Sequence, residues 1–157
     1  MLFRSVYSVL TRLLQGLPAL EKVSGSWSLV YQFQQTLWTD PCDKNRSFGL
    51  FGSAGIGDDN PNPFPWSVSI GLAGSSPLPR RNNDSLGIAY YYMGVNDGLK
   101  NLAPRLVPLS DEQGIEMFYS VGVTPWFHLT PDLQIIRGSF ERADTAVVVG
   151  LRGKIDF

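Results

Sequence analysis

The residue types that most often bind metals or act as nucleophiles are scarce in this sequence. The 157 residues include one cysteine, Cys42, and one histidine, His128. Cys42 has no second cysteine with which to form a disulfide, and we interpret it as an incidental thiol in a turn. His128 follows Trp126 and Phe127 with no other histidine or cysteine nearby, which favours an interfacial side chain over a metal ligand. The sequence therefore offers no credible metal site.

Oxygen ligands cluster in the segment DDNPNP, which contains Asp58, Asp59, Asn60 and Asn62. Such side chains suit Ca²⁺, but their spacing lacks the Asp-x-Asp-x-Asp-Gly pattern of a calcium-binding loop. We therefore interpret the segment as a proline-stiffened surface loop.

Polar side chains that recur at every second position form a more extensive pattern. Residues 145–157 show it most clearly: their odd positions are Thr, Val, Val, Leu, Gly, Ile and Phe, and their even positions are Ala, Val, Gly, Arg, Lys and Asp. A face of small and charged residues cannot form a packed core, and it suits a water-filled interior. The same alternation predicts strands at 27–37, 47–57, 66–74, 86–95, 115–124 and 127–136. Pro131 in the last of these is tolerable only at a bulge or an unpaired position.

Composition limits the class of protein. Lys and Arg number 13 and Asp and Glu number 14, giving a formal net charge of −1, so no nucleic-acid partner is expected. The mean hydropathy of −0.03 is too low for a helical membrane protein, and the sequence has no run of about 18 apolar residues. A β-barrel wall stays possible, because its lipid-facing and lumen-facing residues alternate and their hydropathies average out.

These patterns predict an all-β fold, in which residues 26–157 form part of an antiparallel transmembrane β-barrel with about seven strands. The alternative is a soluble β-sandwich that binds sugars or a partner protein, in which two sheets share one dry face. In a sandwich the second face of each strand would be solvent-facing and charged. Here that face is mostly Ser, Gly, Gln, Thr and Ala, which favours the barrel.

Strand parity also selects the side chains that would line the wet interior of such a barrel. They are Gln32, Gln34, Tyr91, Glu116, Arg152 and Lys154. Amide, hydroxyl and charged groups can hydrogen-bond a passing solute, and the alternative is a solvated wall that makes no specific contact. Parity places these residues inside the barrel but does not indicate which of them contacts a solute.

The two ends of the chain carry separate expectations. Residues 1–25 lack the long apolar core and clean cleavage site of a signal peptide, and a helix, a strand remnant or part of a loop are all compatible with them. The chain ends on Phe157, with Ile155 and Leu151 on the same face. Single-chain bacterial barrels have an even number of strands. We therefore expect the C-terminal portion of a larger barrel, of the type with about 16 strands.

Several longer stretches resemble the carbohydrate-selective porin (OprB) family. They are YQFQQTLWTDP at 31–41, GLFGSAGIGDDNPNPFPWSVSIGLAG at 49–74, LGIAYYYMGV at 86–95 and FYSVGVTPWFHLTPDLQIIRGSFERADTAVVVGLRGKIDF at 118–157. The last stretch is the most specific, and the resemblance extends over residues 26–157.

The resemblance implies an outer-membrane barrel that admits small sugars passively, with no enzymatic activity and no cofactor. It implies that the six interior side chains face sugars and that the apolar side of the wall contacts outer-membrane lipid. It also implies that Phe157, Ile155 and Leu151 are read by the barrel assembly machinery, while the oligomeric state is left open. A general-diffusion porin and an inactive, truncated porin remnant are the remaining alternatives.

Overall fold

The computed structural model describes residues 25–59, 62–102 and 108–156. Within these ranges the chain forms seven strands and one short helix. The strands are β1 (Ser28–Thr39), β2 (Ser47–Gly57), β3 (Trp66–Ser75), β4 (Ser85–Gly94), β5 (Glu112–Thr124), β6 (Phe127–Arg137) and β7 (Ala146–Ile155), and the helix is α1 (Asp97–Leu102). The strands form one antiparallel sheet in which each strand pairs with its neighbours in sequence.

The seven strands predicted from the sequence are confirmed. The largest difference is at β5, which begins at Glu112 rather than at residue 115. Its ladder with β4 extends as far as the pair Met93↔Glu112. Glu112 and Gln113 lack the apolar alternation that indicates a strand in sequence. The start of β5 at Glu112 therefore follows only from its pairing with β4.

Direct cross-strand pairs define two faces of the sheet, because paired residues point to the same side. The apolar face is the side of the sheet to which Phe33 points. It includes the direct cross-strand partners of Phe33 and, along each strand, every second residue counted from those partners. One of its rows is Phe33, Gly52, Ile70, Tyr90, Ile115, Ile135 and Val147. The polar face consists of the residues between these. One of its rows is Gln32, Ser53, Ser69, Tyr91, Gly114, Ile136 and Ala146.

Within the described residues the sheet is a single layer. Val95 is the one buried hydrophobic side chain there, whereas Val149 is 78% exposed and Tyr31 is 67% exposed. In a β-sandwich one face of each sheet is buried against the other, so the sandwich alternative does not describe this structure. An apolar surface of this extent requires a neighbour other than water.

Pro131 lies within β6, where the sequence predicts that it must avoid a ladder bond. The β5–β6 ladder is interrupted there, between the pairs Phe118↔Asp132 and Val121↔Leu129. Proline has no amide proton to donate, so this gap is where the strand can accept it.

The connections between strands alternate between two ends of the sheet. Residues 40–46, 76–84 and 125–126 lie at one end, which we call the short-turn end after its two-residue turn. The described residues of the other three connections lie at the opposite end, which we call the long-loop end and which includes α1: these are 58–59, 62–65, 95–102, 108–111 and 138–145. No helix in the described part of the chain is long and apolar enough to span a membrane.

Some expectations fall outside the described residues. These concern residues 1–24 of the N-terminal segment, Asn60 of the acidic loop, and Phe157 as an assembly signal. Ile155 and Leu151 are described, and both are exposed on the apolar face.

Candidate functional site

The polar face contains all six side chains that the sequence predicts to line a wet interior. Gln32 and Tyr91 share one cross-strand row. Gln34 and Glu116 share the next row. Arg152 and Lys154 take the same side through the β6–β7 register. A contact between any of the six residues and a solute stays a prediction.

The part of the polar face between β1 and β3 is a shallow depression with uncharged hydrogen-bonding groups. Gln32 and Gln34 line it together with Ser53, Ser69 and Phe51. The hydroxyl oxygens of Ser53 and Ser69 are 2.9 Å apart and form a hydrogen bond. Amides and hydroxyls both donate and accept hydrogen bonds without carrying charge. This lining therefore suits a neutral solute that bears hydroxyl groups.

Tyr91 is fixed in position by hydrogen bonds at its hydroxyl. The hydroxyl donates to Oε1 of Glu112 over 3.1 Å, and Oε2 of the same carboxylate accepts the Ser139 hydroxyl over 3.2 Å. The Tyr91 ring lies across its cross-strand partner Gly114, where a β-carbon would be 2.6 Å from the ring. Tyr91 thus links the polar face to the 138–145 connection.

Carboxylates of the polar face concentrate on β5 and β6. Glu116 and Glu112 are on β5, and Asp132 on β6 pairs with Phe118. The predicted interior set omits Glu112 because the predicted strand begins after it. It also omits Asp132, although the alternation along 127–136 assigns this residue to the polar side. Phe118 and Phe51 are further polar-face residues outside the predicted set.

Cationic side chains of the polar face lie near the short-turn end. The Lys154 ammonium is 2.7 Å from Oδ1 of Asp156, and Nδ1 of His128 is 3.7 Å from Oδ2 of the same carboxylate. Arg152 is exposed one position further along the same face. Glu112 thus lies nearest the long-loop end of this face, whereas Arg152 and Lys154 lie near the opposite end, where Asp156 pairs with Lys154.

One carboxylate at the long-loop end anchors α1 to the sheet. Oδ1 of Asp111 is 2.7 Å from the Lys100 ammonium and accepts the Val95 amide over 2.9 Å. Oδ2 accepts the Tyr92 hydroxyl over 2.9 Å. The hydrogen bond from Lys100 is the largest influence that lowers the pKa of Asp111, and the same bond raises the pKa of Lys100.

Asn96 joins two of the connections at the long-loop end. Its side-chain amide donates to the carbonyl oxygens of Asp59 and Asn62. Its backbone amide donates to the Pro63 carbonyl over 2.9 Å. The acidic loop therefore packs against the start of the α1 connection through hydrogen bonds. In the described ranges, no three His, Cys, Asp or Glu side chains converge to hold a metal ion.

A buried carboxylate fastens the short-turn end. Asp84 is 3% exposed, and its oxygens accept the Tyr119 hydroxyl over 2.8 Å and the Gly122 amide over 2.9 Å. The backbone carbonyl of Asp84 accepts the Ser76 amide over 2.8 Å. Arg46 from the 40–46 connection donates to the Ser76 carbonyl over 2.8 Å. Two connections and β5 are thus held together by one network.

Comparison with known proteins identifies relatives of this wall. Residues 4–157 match a family described as carbohydrate-selective porin, OprB family. The chain is 28% identical to Porin B of Pseudomonas aeruginosa in an alignment of 143 positions, and the match covers 80% of this chain. It is 31% identical to Porin AaxA of Chlamydia pneumoniae over 108 residues, which is 68% of this chain.

A solved structure has the same arrangement of strands. The high-pH structure of OprB from Pseudomonas putida superimposes with a TM-score of 0.74 and 26% sequence identity over 84% of this chain. The chain spans only part of these relatives: 31% of Porin B, 24% of Porin AaxA and 35% of the Pseudomonas putida chain.

Proposed function

Because this chain belongs to the carbohydrate-selective porin (OprB) family, whose members reside in the bacterial outer membrane, we propose that it forms part of the wall of a channel for sugars. Sugars would diffuse through this channel down their gradient, and no bond would be made or broken. Porins of this family are not enzymes.

The observation that carries this proposal is the division of one sheet into two unlike faces. The apolar face is exposed along its whole width, from Leu29 on β1 to Val149 on β7. A hydrocarbon neighbour would accept this surface, because the strands between β1 and β7 pair with a neighbouring strand on both sides. The polar face would then border the water-filled lumen.

Uncharged hydrogen-bonding groups on the polar face support a sugar as the solute. Gln32, Gln34, Ser53 and Ser69 surround one depression, and they offer amide and hydroxyl groups at short spacing. A sugar that exchanges water for such groups keeps its hydrogen bonds throughout its passage. Tyr91, Glu116, Arg152 and Lys154 would add hydrogen bonds and charge elsewhere on the same face.

Further strands are needed to close the wall. β1 and β7 run in the same direction, because each strand is antiparallel to the next and five strands lie between them. A closed barrel with antiparallel pairing throughout therefore needs an odd number of strands between β7 and β1. Ile155, Leu151 and Phe157 would serve the assembly machinery that inserts such a barrel.

Liposome swelling with the full-length protein tests the proposed function. We expect glucose to enter protein-containing liposomes faster than a charged solute of similar size. Liposomes without protein are the control for leakage. Equal rates for both solutes would indicate a general-diffusion porin, and the absence of any protein-dependent swelling would indicate an inactive remnant.

A further inference from the structure

Two phenylalanine rings extend across neighbouring strands on the polar face. Phe51 on β2 pairs directly with Gly71 on β3, and Phe118 on β5 pairs directly with Gly87 on β4. A β-carbon on residue 71 would be 2.5 Å from Cζ of Phe51, and one on residue 87 would be 2.5 Å from Cε1 of Phe118. Each ring therefore lies across the neighbouring strand, over the α-carbon of a glycine.

The surface between the two rings is made of the smallest side chains. β3 contributes Gly71 and Ala73, β4 contributes Gly87 and Ala89, and each glycine pairs with the alanine of the other strand. The ring from β2 ends close to Ala89, because a β-carbon on Gly71 would also be 2.9 Å from that methyl group. Likewise, a β-carbon on Gly87 would be 3.0 Å from the methyl group of Ala73, so the ring from β5 ends close to Ala73. The rings thus reach over β3 and β4 from opposite sides.

Each ring has one covered side and one open side. Gly71 and Gly87 are buried although the sheet is a single layer, because the rings cover them. Phe51 and Phe118 themselves are half-buried. Since the wall lies under each ring, the exposed part of each ring is directed away from the wall.

Hydrogen-bonding side chains flank the rings on the outer sides. Gln34 on β1 is the cross-strand partner of Phe51, and Asp132 on β6 is the cross-strand partner of Phe118. At about 4.8 Å between strands, these two polar groups lie on β1 and β6, about 24 Å apart along the wall. One sugar ring cannot span this distance, so each phenylalanine ring has its own hydrogen-bonding neighbour, Gln34 beside Phe51 and Asp132 beside Phe118.

We propose that Phe51 and Phe118 each form a stacking site for the C–H face of a neutral pyranose, with Gln34 receiving hydroxyl groups beside Phe51 and Asp132 receiving them beside Phe118. A pyranose with equatorial hydroxyls carries C–H bonds on its ring faces and hydroxyls around its rim. A flat aromatic surface with polar groups at the margins therefore matches both parts of the sugar. The inference rests on the proposed sugar channel and names where in the wall the sugar binds.

Saturation-transfer NMR on the full-length protein in detergent micelles tests the stacking directly. The probe is methyl β-D-glucopyranoside, whose anomeric configuration is fixed. We expect saturation concentrated on the axial protons of one ring face when the aromatic protons of the protein are irradiated. Sorbitol, which has no flat ring face, should show little transfer. Uniform saturation of the sugar protons, or equal transfer to sorbitol, would overturn the proposal.

Leucine variants supply the second test, with a control on the other face of the same sheet. Phe51→Leu and Phe118→Leu keep apolar volume but remove the ring, and each should weaken probe binding by about three- to tenfold, the order of one stacking contact. Phe33 is the matched control, because its ring lies over Gly52 on the apolar face. A β-carbon on residue 52 would be 2.8 Å from that ring. Phe33→Leu should leave probe binding unchanged. Unchanged binding in the first two variants, with native circular dichroism, contradicts the site.

Failure of this proposal can be told apart from failure of the channel function. Wild-type swelling in glucose together with unaltered binding by Phe51→Leu and Phe118→Leu would remove the stacking site and leave the channel. Ring-dependent probe binding without any swelling would remove the channel function and leave a sugar-binding wall.

Discussion

The carboxylate of Asp132 lies directly over Gly150, its cross-strand partner on β7. A β-carbon on residue 150 would be 2.5 Å from Oδ2 and 2.6 Å from Oδ1 of that carboxylate. Glycine at this position therefore gives the Asp132 side chain the space to lie along the wall. A larger residue would push a charged group out toward the lumen.

Gly150→Ala should change the free energy of unfolding by less than about 1 kcal/mol, because the atoms that an added methyl group meets are the end of a flexible side chain that can turn toward the lumen. The measurement is the free energy of unfolding in guanidinium chloride, followed by tryptophan fluorescence. Gly52→Ala is the contrasting variant and should cost about 1–3 kcal/mol, because a β-carbon there would be 2.6 Å from the backbone carbonyl oxygen of Ser69, which cannot turn aside. Equal effects of the two substitutions would contradict the proposed packing of Asp132.

Charge on the polar face should influence which ions pass through the channel. Glu116→Gln should lower the permeability of cations relative to anions, and Lys154→Gln should raise it. Each shift should be at most about fivefold, because two charges 4 Å apart in water interact by only about 1 kcal/mol. Reversal potentials across a planar bilayer with a salt gradient measure this. Glu141→Gln, in the 138–145 connection, is the control, and shifts of the same sign in both test variants would contradict a shared lumen.

The ion pair between Lys100 and Asp111 should hold α1 against the sheet over a wide pH range. Because the pKa of Asp111 is lowered in the folded protein, its carboxylate stabilises the fold at pH values above its unfolded-state pKa of about 3.9. This stabilisation is lost as pH falls through the folded-state pKa. The raised pKa of Lys100 means that its contribution is present below about 10.4 and is lost as pH rises through its folded-state value. Hydrogen-exchange protection of the Val95 amide should therefore be constant between about pH 5 and pH 10 and should fall in stronger acid.

Asp111→Asn should remove most of that protection at neutral pH, because the amide cannot attract Lys100 as the carboxylate does. Asp97→Asn is the matched control, since Asp97 is 3.6 Å from the same ammonium and its side chain is 90% exposed. Protection in Asp111→Asn that equals the wild-type value would show that other contacts hold α1.

The network around Asp84 should contribute strongly to stability at the short-turn end. Asp84→Ala leaves the Tyr119 hydroxyl and the Gly122 amide without their acceptor, at a cost of about 1–3 kcal/mol for each unsatisfied group. Denaturant unfolding measures the loss. Arg81→Gln should cost less than about 1 kcal/mol, because that guanidinium is half exposed and the Asp84 carboxylate keeps its hydrogen bonds to Tyr119 and Gly122 without it. An Asp84→Ala variant as stable as Arg81→Gln would contradict this account.

Period-two alternation is sufficient to predict the strands and their faces, because apolar side chains collect on one side of the sheet and polar or small side chains on the other. It could not predict local departures from that period. Between Thr36 and Trp38 the β1–β2 register shifts, which places Trp38 opposite Phe48 on the apolar face. A shift of this kind depends on the partner strand and leaves no mark in the β1 sequence.

The interior residues were predicted from parity, but their partners were not. Tyr91 was assigned to the interior, yet its bond to Glu112 depends on the β4–β5 register and on the early start of β5. The Phe51 ring can extend across β3 because its partner there is a glycine, Gly71, which lies 20 residues further along the chain. Contacts between residues on different strands are set by pairing, which a single sequence does not specify.

One face of this sheet should contact lipid, and the other should contact water. Neighbouring residues on β3 test this arrangement in the full-length protein, in liposomes and with Cys42→Ser as background. A fluorophore attached at Ser69→Cys should be quenched by aqueous iodide and not by nitroxide-labelled lipid, whereas one at Ile70→Cys should be quenched by the lipid and not by iodide. Quenching of both positions by the same agent would contradict the account.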